Sequence, residues 1–198
     1  MIDDSQVIQK IIAGDRNAYR VLVERYQQMV FRTCMGFVHN SADAEDITQD
    51  VFIKAYQSLK EFRMESSFST WLYRIAVNAS LNRVREKKKN FIVRYFNDLM
   101  EADSNTLPVS EIYESGDPES SMIGEEHRAW VKRALDSLPD NQRTAIVLSK
   151  YEDLSQKEIA EIMGKSEGAV EALIQRAKAT LRSRLTAGIK KRIINRRN

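Results

Sequence analysis

The sequence predicts an all-α protein: two small helical domains joined by an acidic, flexible linker. Three observations predict it. Apolar residues recur at helical spacing along most of the chain, and no segment keeps a convincing strand period. The 198 residues include only seven Gly and three Pro, few for a protein built of turns. Between about residues 97 and 126 the periodicity stops and Pro108, Gly116, Pro118 and Gly124 appear among scattered serines, which marks a linker between residues 1–96 and 127–198. A hydrophobic fraction of 42% beside 30% charged residues is that of a globular chain rather than a disordered one.

In the first domain, Ser5 is placed to cap a helix carrying Val7, Ile8, Ile11 and Ile12 on one face, and Gly14 closes it. Asp15 caps a second, longer helix on which Tyr19, Leu22, Val23, Tyr26, Val30, Phe31 and Cys34 hold the period as far as His39 and Asn40. A third opens at Ser41 with acids where the helix dipole favours them. It buries Ile47, Val51, Phe52, Ala55 and Leu59 and turns Asp46, Gln49, Asp50 and Lys54 outward. The fourth is capped by Ser67 or Ser69 and carries Leu72, Ile75, Ala76 and Ala79 at helical spacing before the basic run Arg83, Arg85, Lys87, Lys88, Lys89.

The second domain begins with a helix through His127, Trp130, Val131, Ala134, Leu135 and Leu138, stopped by Pro139. Asn141 caps the next, with Ala145, Ile146, Val147, Leu148 and Tyr151 facing inward. Ser155 and Glu158 then form a capping box, Gly164 turns the chain, and Ser166 caps a last helix through Val170, Leu173, Ile174, Ala177 and Leu181. Two short helices about a glycine turn, the second basic on its outer side, make a helix-turn-helix pattern whose second helix enters a major groove.

Net charge is only +3, yet the charge is segmented. From Tyr95 to Glu126 there are nine acids and no Lys or Arg; from Ala172 to Asn198 there are nine Lys or Arg and no acid. A basic mid-chain helix and a basic tail suit a polyanion. Phe62, Phe68, Trp71 and Tyr73 crowd the entry of the fourth helix, where aromatic faces can stack unpaired bases while the cations beyond hold phosphates.

Other chemistries lack their residues. No phosphate-cradling loop or dinucleotide fingerprint is present, His39 and His127 stand without ligand spacing, and the single Cys34 reads as a reduced core thiol. Asp43, Glu45, Asp46 and Asp50 at the head of an exposed helix would be solvated, which suits a protein contact better than acid–base catalysis. No catalytic residue, metal, cofactor or small-molecule substrate is expected. The start, Ile2-Asp3-Asp4-Ser5, has no signal-peptide character and no apolar run nears the ~20 residues of a membrane span, so a cytoplasmic protein without membrane insertion is expected.

Asp43-Ala44-Glu45-Asp46-Ile47-Thr48-Gln49-Asp50-Val51-Phe52-Ile53-Lys54-Ala55-Tyr56, then Phe68-Ser69-Thr70-Trp71-Leu72-Tyr73-Arg74-Ile75-Ala76-Val77-Asn78, then Leu138-Pro139 and the late helix-turn-helix, together resemble an extracytoplasmic-function sigma factor of bacterial RNA polymerase. The resemblance spans nearly the whole chain in order, the linker excepted. It implies a four-helix sigma-2-like domain that binds core polymerase and the −10 element, and a helix-turn-helix sigma-4-like domain that binds the −35 element. Asp46, Gln49 and Asp50 would meet the polymerase clamp. Phe62, Ser67, Phe68, Trp71, Arg74, Asn78, Arg83 and Arg85 would bind −10 DNA, with Phe62 and Asn78 holding a base swung out of the non-template strand. In the last helix Glu171, Ala172 and Leu173 stand where many members carry Lys or Arg and Ser. Phosphate contacts would then come from Lys165, Arg176, Lys178 and Arg182, and base-edge contacts from Ser166, Glu167 and Gln175.

The linker gains a role from the same resemblance, threading polymerase near its active site and RNA exit path. As a free coil its roughly 30 residues span ~30 Å, and fully extended ~100 Å, whereas DNA sites two helical turns apart lie ~70 Å distant. Core enzyme must hold it stretched, so promoter binding should be weak without polymerase and strong with it. An anti-sigma partner is also implied. The rival expectation is a self-sufficient helix-turn-helix regulator, a stable dimer that binds a palindrome without polymerase.

Overall fold

A computed structural model of the chain describes residues 3–101 and 122–195, with side chains over 3–90, 92–93 and 129–186. Among these there is no strand. The elements are α1 (Asp4–Ile12), α2 (Tyr19–Val38), α3 (Ser41–Ser58), α4 (Phe68–Glu101), α5 (Met122–Asp136), α6 (Asp140–Tyr151), α7 (Gln156–Met163) and α8 (Glu167–Asn195), with short 3-10 turns at Arg16–Ala18 and Leu59–Glu61. The expected linker is narrower in helical terms than residues 97–126, because α4 runs to Glu101 and α5 starts at Met122. Its stretch 102–121 lies outside the described residues.

In the amino-terminal half, α2 packs on both α3 and α4, and α1 lies across α2. Leu22, Val30, Cys34, Phe37, Ile47, Val51, Ala55, Leu72 and Ala76 are buried between them. Asp15 accepts from the amides of Asn17 and Ala18, Asn40 accepts from the amide of Asp43 at 2.9 Å, and Ser67 accepts from the amide of Thr70 at 3.1 Å. Asn40 and Ser67 thus relieve unpaired amides at the starts of α3 and α4, whereas Asp15 caps the 3-10 turn Arg16–Ala18 and not, as expected, α2, which follows that turn with no side-chain cap of its own. Ser5 does not cap α1: Asp3 stands at that position, and the Ser5 hydroxyl donates to the Asp3 carboxylate. The acid stands two residues earlier, where its charge favours the positive end of the helix dipole.

In the carboxy-terminal half, α8 packs on α5, α6 and α7. The capping box of Ser155 and Glu158 is formed, and Gly164 turns left-handed at φ 61°. Ser166 accepts from the amide of Ala169 at 3.2 Å. Asn141 does not cap α6, which begins at Asp140 behind Pro139 with no side-chain cap. The helix starts two residues earlier than an Asn141 cap would allow, with Pro139 at the cap position in extended conformation, φ -57° and ψ 146°. Tyr151, expected inside, is 44% exposed at the end of α6.

The halves dock, α6 against α2 and α7 against α4, and their buried apolar residues join in one cluster. Gly36 permits the closest approach. A Cβ built there would lie 2.7 Å from Val147 Cγ1 and 3.3 Å from the Tyr151 ring, so a helix interior that alanine would suit better holds a glycine.

Candidate nucleic-acid and protein interfaces

Asp46, Gln49 and Asp50 lie together on the solvent face of α3, all exposed, with Ile53 extending the stripe at 56% exposure. One turn earlier, Asp43 is nearly covered. Its carboxylate takes Lys87 and, at 3.4 Å, Arg83, while Arg83 also reaches Asp46 at 3.4 Å. Arg83 and Lys87 of the basic run are therefore pinned along α3, and Arg83 stands apart from the rest of the set expected at −10 DNA.

At the start of α4 the rings of Phe62, Phe68 and Trp71 cluster, with Phe62 5.0 Å and Phe68 5.6 Å from Trp71. Ser67 is exposed beside them. Phe68 is 3% exposed and also packs on Tyr26 at 5.4 Å, so it offers no face to a base; it supports Phe62 and Trp71, which remain half open. Tyr73 leaves this group altogether. Its position two residues past Trp71 turns it about 200° around the helix, into the seam between the halves.

Along that seam charged groups meet. The Glu152 carboxylate is 0% exposed, accepting from the Tyr73 hydroxyl at 3.0 Å and from Arg32 at 3.3 Å. Burial and the adjoining carboxylate hold the Tyr73 phenol far above its usual range, and the Glu152 hydrogen bond raises Arg32. Arg143 is 2% exposed. It donates to the Phe37 carbonyl at 2.5 Å and to Asp136, and lies 5.9 Å from the Phe37 ring. Phe37 is in the last turn of α2, whose carbonyls have no partner within the helix; a guanidinium from the other half satisfies one and opposes the dipole. His39 closes α2 in the left-handed region at φ 52°. Burial pushes its imidazole down to about 4, against Asp136 and with Arg143 and Lys132.

Arg74 and Arg85 turn to the same seam. Arg74 donates to the Glu161 carbonyl at 2.7 Å, and Arg85 to Asp140 at 2.5 Å. With Asn78 and Asn141, Arg74 lines a cleft of about 270 Å³ floored by Val77, Leu81, Thr144, Ile162 and Met163. The residues expected at −10 DNA therefore occupy three places: the aromatic mouth, the cleft and the α3 seam.

In the turn before α8 and on α8 itself the expected set is exposed throughout: Lys165 and Ser166, then Glu167, Gln175, Arg176, Lys178 and Arg182. By helical register Glu167, Gln175, Lys178 and Arg182 run along one stripe, with Arg176 more than a third of a turn from its centre. Sequence reasoning did not find Arg143, Glu152, Arg32 or Gly36. A glycine within the apolar period of α2 was the one available signal.

Residues 22–90 match the family description Sigma-70 region 2, and residues 128–181 match Sigma-70, region 4. The chain is 37% identical over 187 residues to the ECF RNA polymerase sigma-E factor of Escherichia coli K12, covering 91% of this chain and 93% of that protein. It is 35% identical over 180 residues to the ECF RNA polymerase sigma factor SigW of Bacillus subtilis 168, covering 90% and 94%. The solved structure of CnrH in complex with the cytosolic domain of CnrY superposes with a TM-score of 0.61 at 26% identity, over 93% of this chain and 97% of that one. The RpoE chain solved with the anti-sigma factor NepR from Bartonella quintana shares the fold at a TM-score of 0.55 and 21% identity, over 85% and 96%. With relatives this similar along nine-tenths of its length, the chain belongs to the ECF RNA polymerase sigma factors.

Proposed function

We propose that the chain directs RNA polymerase to promoters, with residues 1–96 as the core- and −10-binding domain, 97–126 as the acidic tether, and 127–198 as the −35-binding domain. Asp46, Gln49 and Asp50 dock on core enzyme. Phe62, Trp71 and Asn78 take bases of the opened strand, with Ser67, Arg74, Arg83 and Arg85 on its backbone and Phe68 behind them. Lys165, Arg176, Lys178 and Arg182 hold duplex phosphates, while Ser166, Glu167 and Gln175 face base edges. Unpairing and unstacking a base costs a few kcal/mol, which an aromatic wall with an amide on the base edge can offset. The protein carries out no reaction of its own, needs no cofactor, works in the cytoplasm and is restrained by an anti-sigma partner.

What supports this reading above all is the separation of an acidic stripe, an aromatic mouth and a basic reading helix onto three surfaces of a chain in this family. A dimeric regulator has no use for the mouth. Purified core polymerase with this chain, given pooled promoter fragments, should start transcripts at sites sharing two elements; transcripts identical with and without the chain would refute the reading.

A further inference from the structure

Between the 3-10 turn at Leu59–Glu61 and the start of α4 the chain passes through Arg63, Met64, Glu65, Ser66 and Ser67. Met64 is the apolar member of this stretch, and it is 44% exposed. Its backbone lies in the left-handed region at φ 56°, where glycine or asparagine sits at less cost. Arg63 and Glu65 on either side of it reach each other at 3.9 Å, both largely in water. Met64 is not among the apolar residues packed on the core, so burial does not explain it. Two residues before it comes Phe62, a half-open ring of the aromatic mouth, and three after it the exposed Ser67 beside those rings.

The other described sulfur atoms are shielded. Met29, Met35 and Met163 are partly buried and packed on the core. Cys34 is 0% exposed, and burial pushes its thiol up, away from the reactive thiolate. Oxidation of sulfur side chains follows their exposure. An oxidant arriving from solvent therefore meets Met64 first, at the edge of the mouth.

We propose that Met64 is an oxidation site through which a hydroperoxide turns down capture of the opened promoter strand. This rests on the reading of Phe62 and Trp71 as the wall that takes unpaired bases. A lone pair of the Met64 sulfur attacks one oxygen of the peroxide, and the O–O bond breaks. The departing hydroxide takes the proton of the transferred oxygen and leaves as water, so sulfur loses two electrons and peroxide gains them. The sulfoxide replaces a flexible apolar group with a polar, chiral one bearing a strong acceptor oxygen. Bringing a strand onto the neighbouring rings then strips water from that oxygen and sets its partial negative charge beside phosphates. Reductases specific for each sulfoxide epimer return the thioether, which makes the change reversible.

The test treats the full chain with hydrogen peroxide, removes the excess with catalase and reconstitutes the chain with untreated core polymerase. Peptide mass spectrometry maps the sulfoxide, and fluorescence anisotropy reads affinity for a labelled non-template strand from a promoter the enzyme uses. Sulfoxide should accumulate at Met64 ahead of Met29, Met35 and Met163. Affinity should fall at least fivefold and return on treatment with the two methionine sulfoxide reductases. Met64→Leu has no sulfur at this position, so its affinity should fall less than twofold under the same treatment. Met64 oxidised no sooner than the packed methionines, a modified parent that binds as before, or a Met64→Leu variant as sensitive as the parent overturns the proposal while leaving the proposed function intact. An untreated parent that adds no strand binding to core overturns the reading of the mouth, and the oxidation site's role with it.

Discussion

The guanidinium of Arg143 donates a 2.5 Å hydrogen bond to the carbonyl of Phe37, 106 residues earlier in the chain. One buried cation thereby finishes a helix of one half while belonging to the core of the other, and couples the stability of α2 to the docking of α6.

Replacing Arg143 with Met should cost about 2–3 kcal/mol in urea unfolding, since the Phe37 carbonyl and Asp136 both lose their donor. Asp136→Asn should cost under about 1 kcal/mol, because that carboxylate is 41% exposed and water screens it. Equal losses would show that the ion pair, not the carbonyl contact, holds the seam.

Stability should also depend on pH through His39, whose imidazole is held down at about 4 by burial, with Arg143 and Lys132 acting the same way and Asp136 opposing them. The unfolded chain binds a proton near the ordinary value of about 6.5 that the folded chain refuses until about 4. The contribution is therefore full above about pH 7 and lost as pH falls through that window, by on the order of 2 kcal/mol. His39→Asn tolerates the left-handed backbone and does not titrate, so the slope between pH 6.5 and 4 should shrink. Urea midpoints across that range check it.

Trp71 and Phe68 should separate binding from folding. Trp71→Ala should weaken single-strand binding by about 1–3 kcal/mol while moving stability less, because the ring is half open. Phe68→Ala should destabilise the chain by about 3 kcal/mol or more, because its ring is buried against Tyr26. Titration calorimetry and urea melts on the two variants distinguish them.

The difference between these two residues also marks what the sequence could show. Helical period, caps at Ser67 and Ser166, the capping box at Ser155 and the turn at Gly164 are local, and local rules place them correctly. Which of several neighbouring aromatics faces water depends on packing against Tyr26, over forty residues away in the chain. Nothing local marks Arg143 or Glu152 for burial, since charges are rarely buried, and only docking partners from the other half explain them. The α8 face was legible because a solvent-facing helix needs no distant partner to define it.

On that face, Arg176→Gln, Lys178→Gln and Arg182→Gln should each lower the slope of log affinity against log salt for duplex promoter DNA by about 0.9 if the side chain meets a phosphate. A variant that weakens binding with the slope unchanged would instead place its residue at a base edge.

The central claim is that the mouth of α4 captures unpaired promoter bases. Permanganate reactivity of thymines in the start-site bubble, read in polymerase reconstituted with Phe62→Ala, Asn78→Ala double-variant chain, tests it most directly. The account predicts at least a tenfold loss of reactive thymines at unchanged polymerase binding; a bubble as reactive as that of the parent chain would contradict it.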